Sequence, residues 1–251
     1  MTPIGLAILI GAGPATGAGI ARILASQGNF AVALLARRPG PLQELTKKLR
    51  SQVQGGIFEA FPTDTSPKSL SAAFEDIKKH DSFKGLKLRL AVFSVKSGGK
   101  APFLEGSFEN FTETMTSYVG GAFAFSQEAL KRFFADHGEA SLAETGEKKG
   151  TLIFTGTMGA LRCNAQFSAY GASRASVRQL AQALGREMSE KGIHVAHTIA
   201  NGSIVDEDGE DQKNGRKMSA EAVGKTYLFL HGQEPCLWSG ELDMRPALEK
   251  Y

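Results

Sequence analysis

Short apolar runs alternate along this chain with longer segments in which apolar residues recur every three or four positions. The runs are Ile4–Ile10, Phe30–Ala36, Ile57–Phe61, Leu88–Ser94, Thr151–Thr155, Ile193–Ile199 and a short one, Glu241–Met244. The longer, helix-like segments lie near residues 17–27, 40–52, 67–80, 108–136, 168–191 and 219–231. Near-continuous apolar strands are buried on both faces, as in a parallel sheet. Strand following helix along the whole length predicts an α/β fold: one doubly wound domain over 1–251. Right-handed crossovers then place helices on both faces of the sheet. Two polar stretches interrupt the alternation. Gly138–Gly150 reads as a surface loop. Val205–Lys217 carries five acids, three bases and no large apolar residue after Val205, so it packs poorly and is expected to be mobile. It is either a solvated loop or a substrate lid, because it leaves the carboxyl end of a strand, where α/β proteins bind ligands.

Composition narrows the class. The 29 glycines follow no repeat, so they belong to turns and close backbone approaches. Two cysteines, Cys163 and Cys236, exclude a disulfide framework and a cysteine-based zinc cluster, and no metal is expected. The formal charge of +3 is too small and dispersed to point to nucleic acid. No run reaches the ~18 apolar residues that a membrane helix needs. Ile4–Ile10 is short, lacks a basic flank and runs into glycines, so it reads as a strand rather than a signal peptide. The expected setting is the cytoplasm, a reducing compartment.

The first strand runs into Gly11-Ala12-Gly13-Pro14-Ala15-Thr16-Gly17-Ala18-Gly19, and a helix follows at once. Gly13, Gly17 and Gly19 form G-x-x-x-G-x-G. A tight strand-to-helix turn needs permissive backbone, and missing side chains let a pyrophosphate approach the helix N-terminus. Free N–H groups and the helix dipole favour an anion there. In this context the motif predicts a dinucleotide site built from Gly13, Ala15, Thr16, Gly17, Ala18 and Gly19. The end of the second strand selects the dinucleotide. An acid there would bond the ribose 2′-hydroxyl of NAD. This chain has Arg37 and Arg38 instead, which suit a 2′-phosphate, and Thr16 adds a hydroxyl nearby. NADP(H) is therefore the expected cofactor.

Further along, Asp64 follows the third strand, Tyr170-Gly-Ala-Ser-Arg174 opens the long helix after the fifth, and Thr157 lies thirteen residues before Tyr170. With the glycine turn, these features resemble the short-chain dehydrogenase/reductase family from Ile4 to about Pro246. The resemblance implies a single Rossmann-like domain with a seven-stranded parallel sheet. It implies catalytic roles for Thr157, Tyr170 and, at the family's lysine position, Arg174. It places Asp64 and Thr65 near the adenine, Ser94, Val95 and Lys96 beside the cofactor, and Gly202 and the backbone of Ile204 near the nicotinamide amide. Tyr170 and Arg174 would also touch the cofactor. A small-molecule substrate is implied, with no membrane partner, and a homodimer or homotetramer packed through the helices near 108–136 and 168–191.

The departures bear on the chemistry. Arg174 replaces the family's Lys, Tyr118 falls where a catalytic Asn is usual, Phe93–Lys96 replaces Asn-Asn-Ala-Gly, Asn201-Gly202 replaces Pro-Gly, and Ala12 replaces a Thr. As the family implies, Tyr170 supplies a proton to a developing alkoxide, a nearby cation stabilises the tyrosinate, and the Thr157 hydroxyl polarises the carbonyl. Arg174 keeps the charge but does not give up its proton, so a relay through that position stops there. The principal expectation is an NADPH-dependent reductase of a carbonyl or imine in a medium-sized organic molecule, working without the usual relay. A non-redox cyclase or isomerase on the same scaffold and a catalytically silent binding protein are the alternatives. Among lesser candidates, Lys96 either faces the ligand or is solvated. Cys163, Phe167 and Trp238 are candidates to line the pocket, and His194 and His197 are read as structural. Specificity is expected from loops 96–99, 162–167 and 204–217.

Overall fold

The computed structural model describes residues 2–207 and 209–249. Its strands are β1 (Gly5–Ile10), β2 (Phe30–Ala36), β3 (Phe58–Pro62), β4 (Leu88–Phe93), β5 (Gly150–Gly156), β6 (Ile193–Ala200), β7 (Ile204–Val205), β8 (Met218–Ser219) and β9 (Glu241–Met244). Its helices are α1 (Thr16–Ser26), α2 (Pro39–Gln52), α3 (Pro67–Lys79), α4 (Phe108–Thr114), α5 (Gly121–His137), α6 (Leu142–Thr145), α7 (Ser168–Ser189), α8 (Glu210–Lys213) and α9 (Ala220–Gly232). Seven strands form one sheet in the order β3-β2-β1-β4-β5-β6-β9, every pair parallel. This is the doubly wound α/β sheet expected from the alternation, with the seven parallel strands of the Rossmann-like fold that the resemblance implied.

Successive side chains on a strand face opposite ways, and β1 divides accordingly. Leu6, Ile8 and Ile10 join a core with Phe74 of α3, Phe125 and Phe133 of α5, and Val177 of α7. Ala7 and Leu9 join the opposite core with Ile20 and Leu24 of α1, Leu45 of α2, and Tyr227 of α9. Helices thus cover both faces, and the uninterrupted apolar strands are explained. On the second face α1 and α9 touch through glycine: a Cβ at Gly19 would collide with Ala220, and one at Gly224 would lie 2.8 Å from the Gly19 carbonyl. Among the described residues no helix is long and apolar enough to cross a membrane.

Several boundaries differ from the sequence reading, most by a residue or so at an element's end. Strand β3 runs one residue later, from Phe58 to Pro62. The helix expected over 108–136 is broken by a π turn at Met115–Gly120 between α4 and α5. The expected loop 138–150 contains α6, started by a capping box in which Ser141 and Glu144 bond each other's backbone N–H. Of the segment 205–217, Asp208 lies outside the described residues. The rest carries α8 and ends against β8, which pairs with β7 in a small parallel ribbon.

Candidate active site

Strand order reverses between β1 and β4, and the crevice beyond the carboxyl ends of such strands is where α/β sheets bind ligands. Here the chain makes its glycine turn. Gly11 sits at φ +86°, and a Cβ there would collide with the Ser94 carbonyl after β4. A Cβ at Gly17 would lie 2.8 Å from the Ala12 Cα, whereas one at Gly13 would meet nothing nearer than the Gly11 carbonyl at 3.9 Å. The turn leads into α1, whose N-cap Ala15 makes no side-chain capping bond and whose first turn has no acid. The Ala18 N–H donates to the Gly13 carbonyl at 2.9 Å, which leaves the N–H groups of Thr16 and Gly17 and the helix dipole to meet an anion.

A cavity of about 330 Å³ opens beside this turn, lined by Gly11, Gly13, Arg37, Arg38, Leu42, Thr65, Val95 and Lys96 among others. Its position, its size and its two arginines fit the adenosine half of a dinucleotide. Several of the expected cofactor residues therefore lie on one wall. Ala15, Thr16, Gly17, Ala18 and Gly19 shape the turn and the start of α1 rather than that wall. Asp64 points to the start of α3, where its carboxylate accepts the Ser66 N–H at 2.9 Å. Hydrogen bonds from Ser66 hold that carboxyl below its ordinary range, with smaller help from Ser69 and Arg37. Ser94 contributes its carbonyl beside Gly11 and bonds the Ile10 carbonyl through its N–H at 2.9 Å. Ile204 is engaged in the β7–β8 ribbon, and Gly202 lies on the wall of a second pocket. Lys96 also faces a larger groove of about 1000 Å³ running along residues 97–114.

The second pocket, about 520 Å³, gathers Thr157, Arg162, Cys163, Asn164, Phe167, Tyr170, Asn201, Gly202 and Glu249. Thr157 leaves the end of β5 and Tyr170 stands in the first turn of α7, so that the Thr157 Oγ1 and Tyr170 Oη are 2.9 Å apart. Phe167 packs its ring edge-on to Tyr170 at 5.7 Å. Cys163 lines the pocket as expected. Trp238 does not: it stacks on His194, 5.2 Å between centroids, and takes the Lys148 ammonium over its ring. His194 and His197 are buried in structural roles. The two ring nitrogens of His194 lie 3.1 Å from the Leu230 carbonyl and 2.9 Å from the Ser239 carbonyl, and the neutral ring donates to one of them; His197 bonds Glu241, which also holds Arg178. Burial lowers the pKa of both imidazoles.

Arg174 lies one helical turn below Tyr170 and is 3% exposed. Its guanidinium does not bond the phenol oxygen. It lies 4.2 Å from the centroid of the Tyr170 ring and 3.6 Å from that of Tyr118, between the two faces. Nη2 donates to the Ser97 carbonyl at 2.8 Å and Nη1 to the Ser173 hydroxyl at 3.2 Å. Tyr118 is fully buried on the π turn and donates to the Thr155 carbonyl at 3.4 Å. Burial pushes its phenol up to about 12, with Arg174 pulling the other way. Sequence reasoning paired Tyr170 with Arg174 but missed Ser97 and Ser173, whose roles come from a backbone carbonyl and a neighbouring hydroxyl and leave no pattern in the chain.

The sequence profile described as short chain dehydrogenase matches residues 5–212. The chain belongs to the short-chain dehydrogenase family. L-2,3-butanediol dehydrogenase of Corynebacterium glutamicum is 26% identical over 200 residues, which cover 79% of this chain and 71% of that one. A short-chain dehydrogenase from Rhodopseudomonas palustris superposes with a TM-score of 0.77 at 26% identity, covering 96% of this chain and 98% of the other. The fold is shared as well with an alcohol dehydrogenase from the archaeon Thermococcus sibiricus, solved with 5-hydroxy-NADP: TM-score 0.78, 18% identity, 98% of each chain covered. The protein is thus a short-chain oxidoreductase, of a family that uses a nicotinamide dinucleotide.

Proposed function

We propose that this short-chain dehydrogenase is an NADPH-dependent reductase that acts on a carbonyl or imine of a medium-sized organic substrate. The observation that carries the reading is the 2.9 Å pair of Thr157 Oγ1 and Tyr170 Oη at the mouth of the second pocket. A substrate oxygen or nitrogen placed against both hydroxyls is polarised by Thr157 and takes its proton from Tyr170. The bound dinucleotide supplies the hydride. Arg37 and Arg38 would hold the 2′-phosphate and the α1 N-terminus the pyrophosphate. Arg174 steadies the negative charge that Tyr170 carries after giving up its proton. The guanidinium itself keeps all its protons, so Tyr170 is reloaded through the pocket it lines rather than through Arg174. We propose further that segment 205–217 closes over the pocket as a lid, and that the protein is a homodimer or homotetramer. Phe108 of α4 and Phe123 of α5, both largely exposed on the first of the two long helices, support that assembly.

The test is a panel of carbonyl and imine substrates incubated with NADPH carrying deuterium on one face of C4, then on the other. Stereospecific appearance of deuterium in a product is expected. Tight NADPH binding with no label transferred to any member of the panel would overturn the reading in favour of the non-redox alternative.

A further inference from the structure

Arg174 is a buried cation, and among the described residues no carboxylate meets it. Its neighbours are a carbonyl, a hydroxyl and two aromatic faces. A buried charge needs compensation, and a guanidinium, weakly hydrated and planar, finds part of it by stacking on aromatic rings. The closer ring is that of Tyr118. That residue sits on the π turn, and such turns rotate side chains out of the ordinary helical register. The turn is fastened to the cofactor side of the crevice. Thr65 donates to the Ser117 carbonyl at 2.8 Å, the Ser97 and Ser117 hydroxyls are 3.1 Å apart, and a Cβ at Gly121 would lie 2.5 Å from Thr65.

We propose that Tyr118 is a positioning residue: its ring presses the Arg174 guanidinium against the face of Tyr170 and so fixes the cation that stabilises the Tyr170 phenolate. The inference rests on the reading of Tyr170 as the acid. A phenolate spreads its charge into the ring, so a cation held over that face acts on it without touching the oxygen. Tyr118 stays protonated, because its O–H faces the Thr155 carbonyl and its side chain is fully buried. The titratable groups acting on Tyr118 are Arg174, Tyr170 and Tyr227. Ser97, Ser173 and Thr157 beside the stack are neutral, and the pocket that Tyr170 faces also carries Arg162, Cys163 and Glu249.

Tyrosinate formation followed by ultraviolet absorbance tests this in the whole protein, independently of turnover. The step that disappears in Tyr170→Phe belongs to Tyr170. Tyr118→Phe keeps the ring and is expected to leave that step in place. A multiply fluorinated phenylalanine at position 118 keeps the shape but weakens the π face, and should move the step upward by about half to one pH unit. Tyr118→Leu should move it in the same direction, and the fluorinated isostere stands in if the leucine variant does not fold. An unmoved step in the fluorinated protein, or an equal shift in Tyr118→Phe, would overturn the proposal. A negative deuteride panel leaves this titration readable, so failure of the reductase reading and failure of the clamp are distinguishable.

Discussion

Asp206 ties the segment proposed as a lid to the body of the domain. Its carboxylate, 9% exposed, accepts from Arg22 of α1 at 2.7 Å and from Lys48 of α2 at 3.1 Å. Asp206→Ala removes both bonds. The Lys48 side chain is nearly half exposed, so its share is a few tenths of a kcal/mol at most. The Arg22 pair is mostly buried, and breaking such a pair by deleting one partner costs about 3–5 kcal/mol. Arg22 keeps Glu221 at 2.9 Å and Gln52 at 3.1 Å, so its charge is not stranded, and we expect about 2 kcal/mol in total. Both cations belong to helices packed on the sheet, whereas Asp206 belongs to the segment, so the loss should appear as local opening. Two kcal/mol corresponds to about 30-fold faster amide exchange in the described parts of 205–217. The same energy felt by the whole domain would instead lower Tm by about 4–8 °C. Hydrogen-exchange mass spectrometry with a thermal melt separates the two. Unchanged exchange in the segment would refute the latch and leave the β7–β8 ribbon as what holds it.

Gly19→Ala gains about 1 kcal/mol of helix propensity but drives a methyl into Ala220, and overpacking of 1–3 kcal/mol or more should dominate. A lower Tm and weaker dinucleotide binding, read by melting and calorimetry, are expected because the glycine turn moves with α1. Arg37→Ala with Arg38→Ala should weaken NADPH binding by roughly 10- to 100-fold and leave NADH affinity nearly unchanged, as calorimetry with each dinucleotide would show. Burial lowers the pKa of His194 and His197, and that of His231 to about 3. The folded imidazoles stay neutral while the unfolded ones gain protons below about 6.5, so stability is flat above that pH and falls beneath it, by up to about 1.4 kcal/mol per pH unit for each histidine. Urea unfolding between pH 7.5 and 5 should show the decline, and His231→Gln should make it shallower by the share of that one histidine.

The central strands were legible because burial on both faces leaves a run of apolar residues that nothing else in the chain imitates. The glycine turn was legible because its backbone demands leave few alternatives to glycine. Tyr170 and Thr157 could be paired because their spacing repeats a family pattern. The π turn was not legible: Met115–Gly120 fits ordinary helical periodicity, and its register is set by Thr65 and Ser97 from other elements. Asp206 looked like one acid among five in a solvated loop, and only the fold brings it to Arg22 and Lys48. Trp238 was misplaced because an aromatic near the chain's end carries no mark of which strand end it will meet. The α6 cap was available and overlooked, since Ser141 and Glu144 stand at capping-box spacing.

The substitutions at 118 and 174 make physical sense only together. An ammonium at 174 would be more strongly hydrated than a guanidinium and lacks the planar fork that reaches Ser97 and Ser173 at once. Beneath the Tyr118 ring it would have neither the water nor the amide that the family's Asn supplies. An amide at 118 with Arg174 retained would leave a void where the ring packed, and a buried cation short of one face. Arg174→Lys and Tyr118→Asn should therefore each destabilise the fold. Their combination should be more stable than the sum predicts, with a coupling of about 1 kcal/mol or more by urea denaturation, as expected for groups in direct contact. NADPH affinity in Arg174→Lys should stay within a few-fold of wild type while the pH–rate profile shifts, and the double variant should bring the profile back toward that of a Tyr–Lys pair with its amide. Strict additivity, within about 0.3 kcal/mol, would mean that the two positions act separately. The stacked guanidinium would then be a packing detail rather than the cation on which Tyr170 depends.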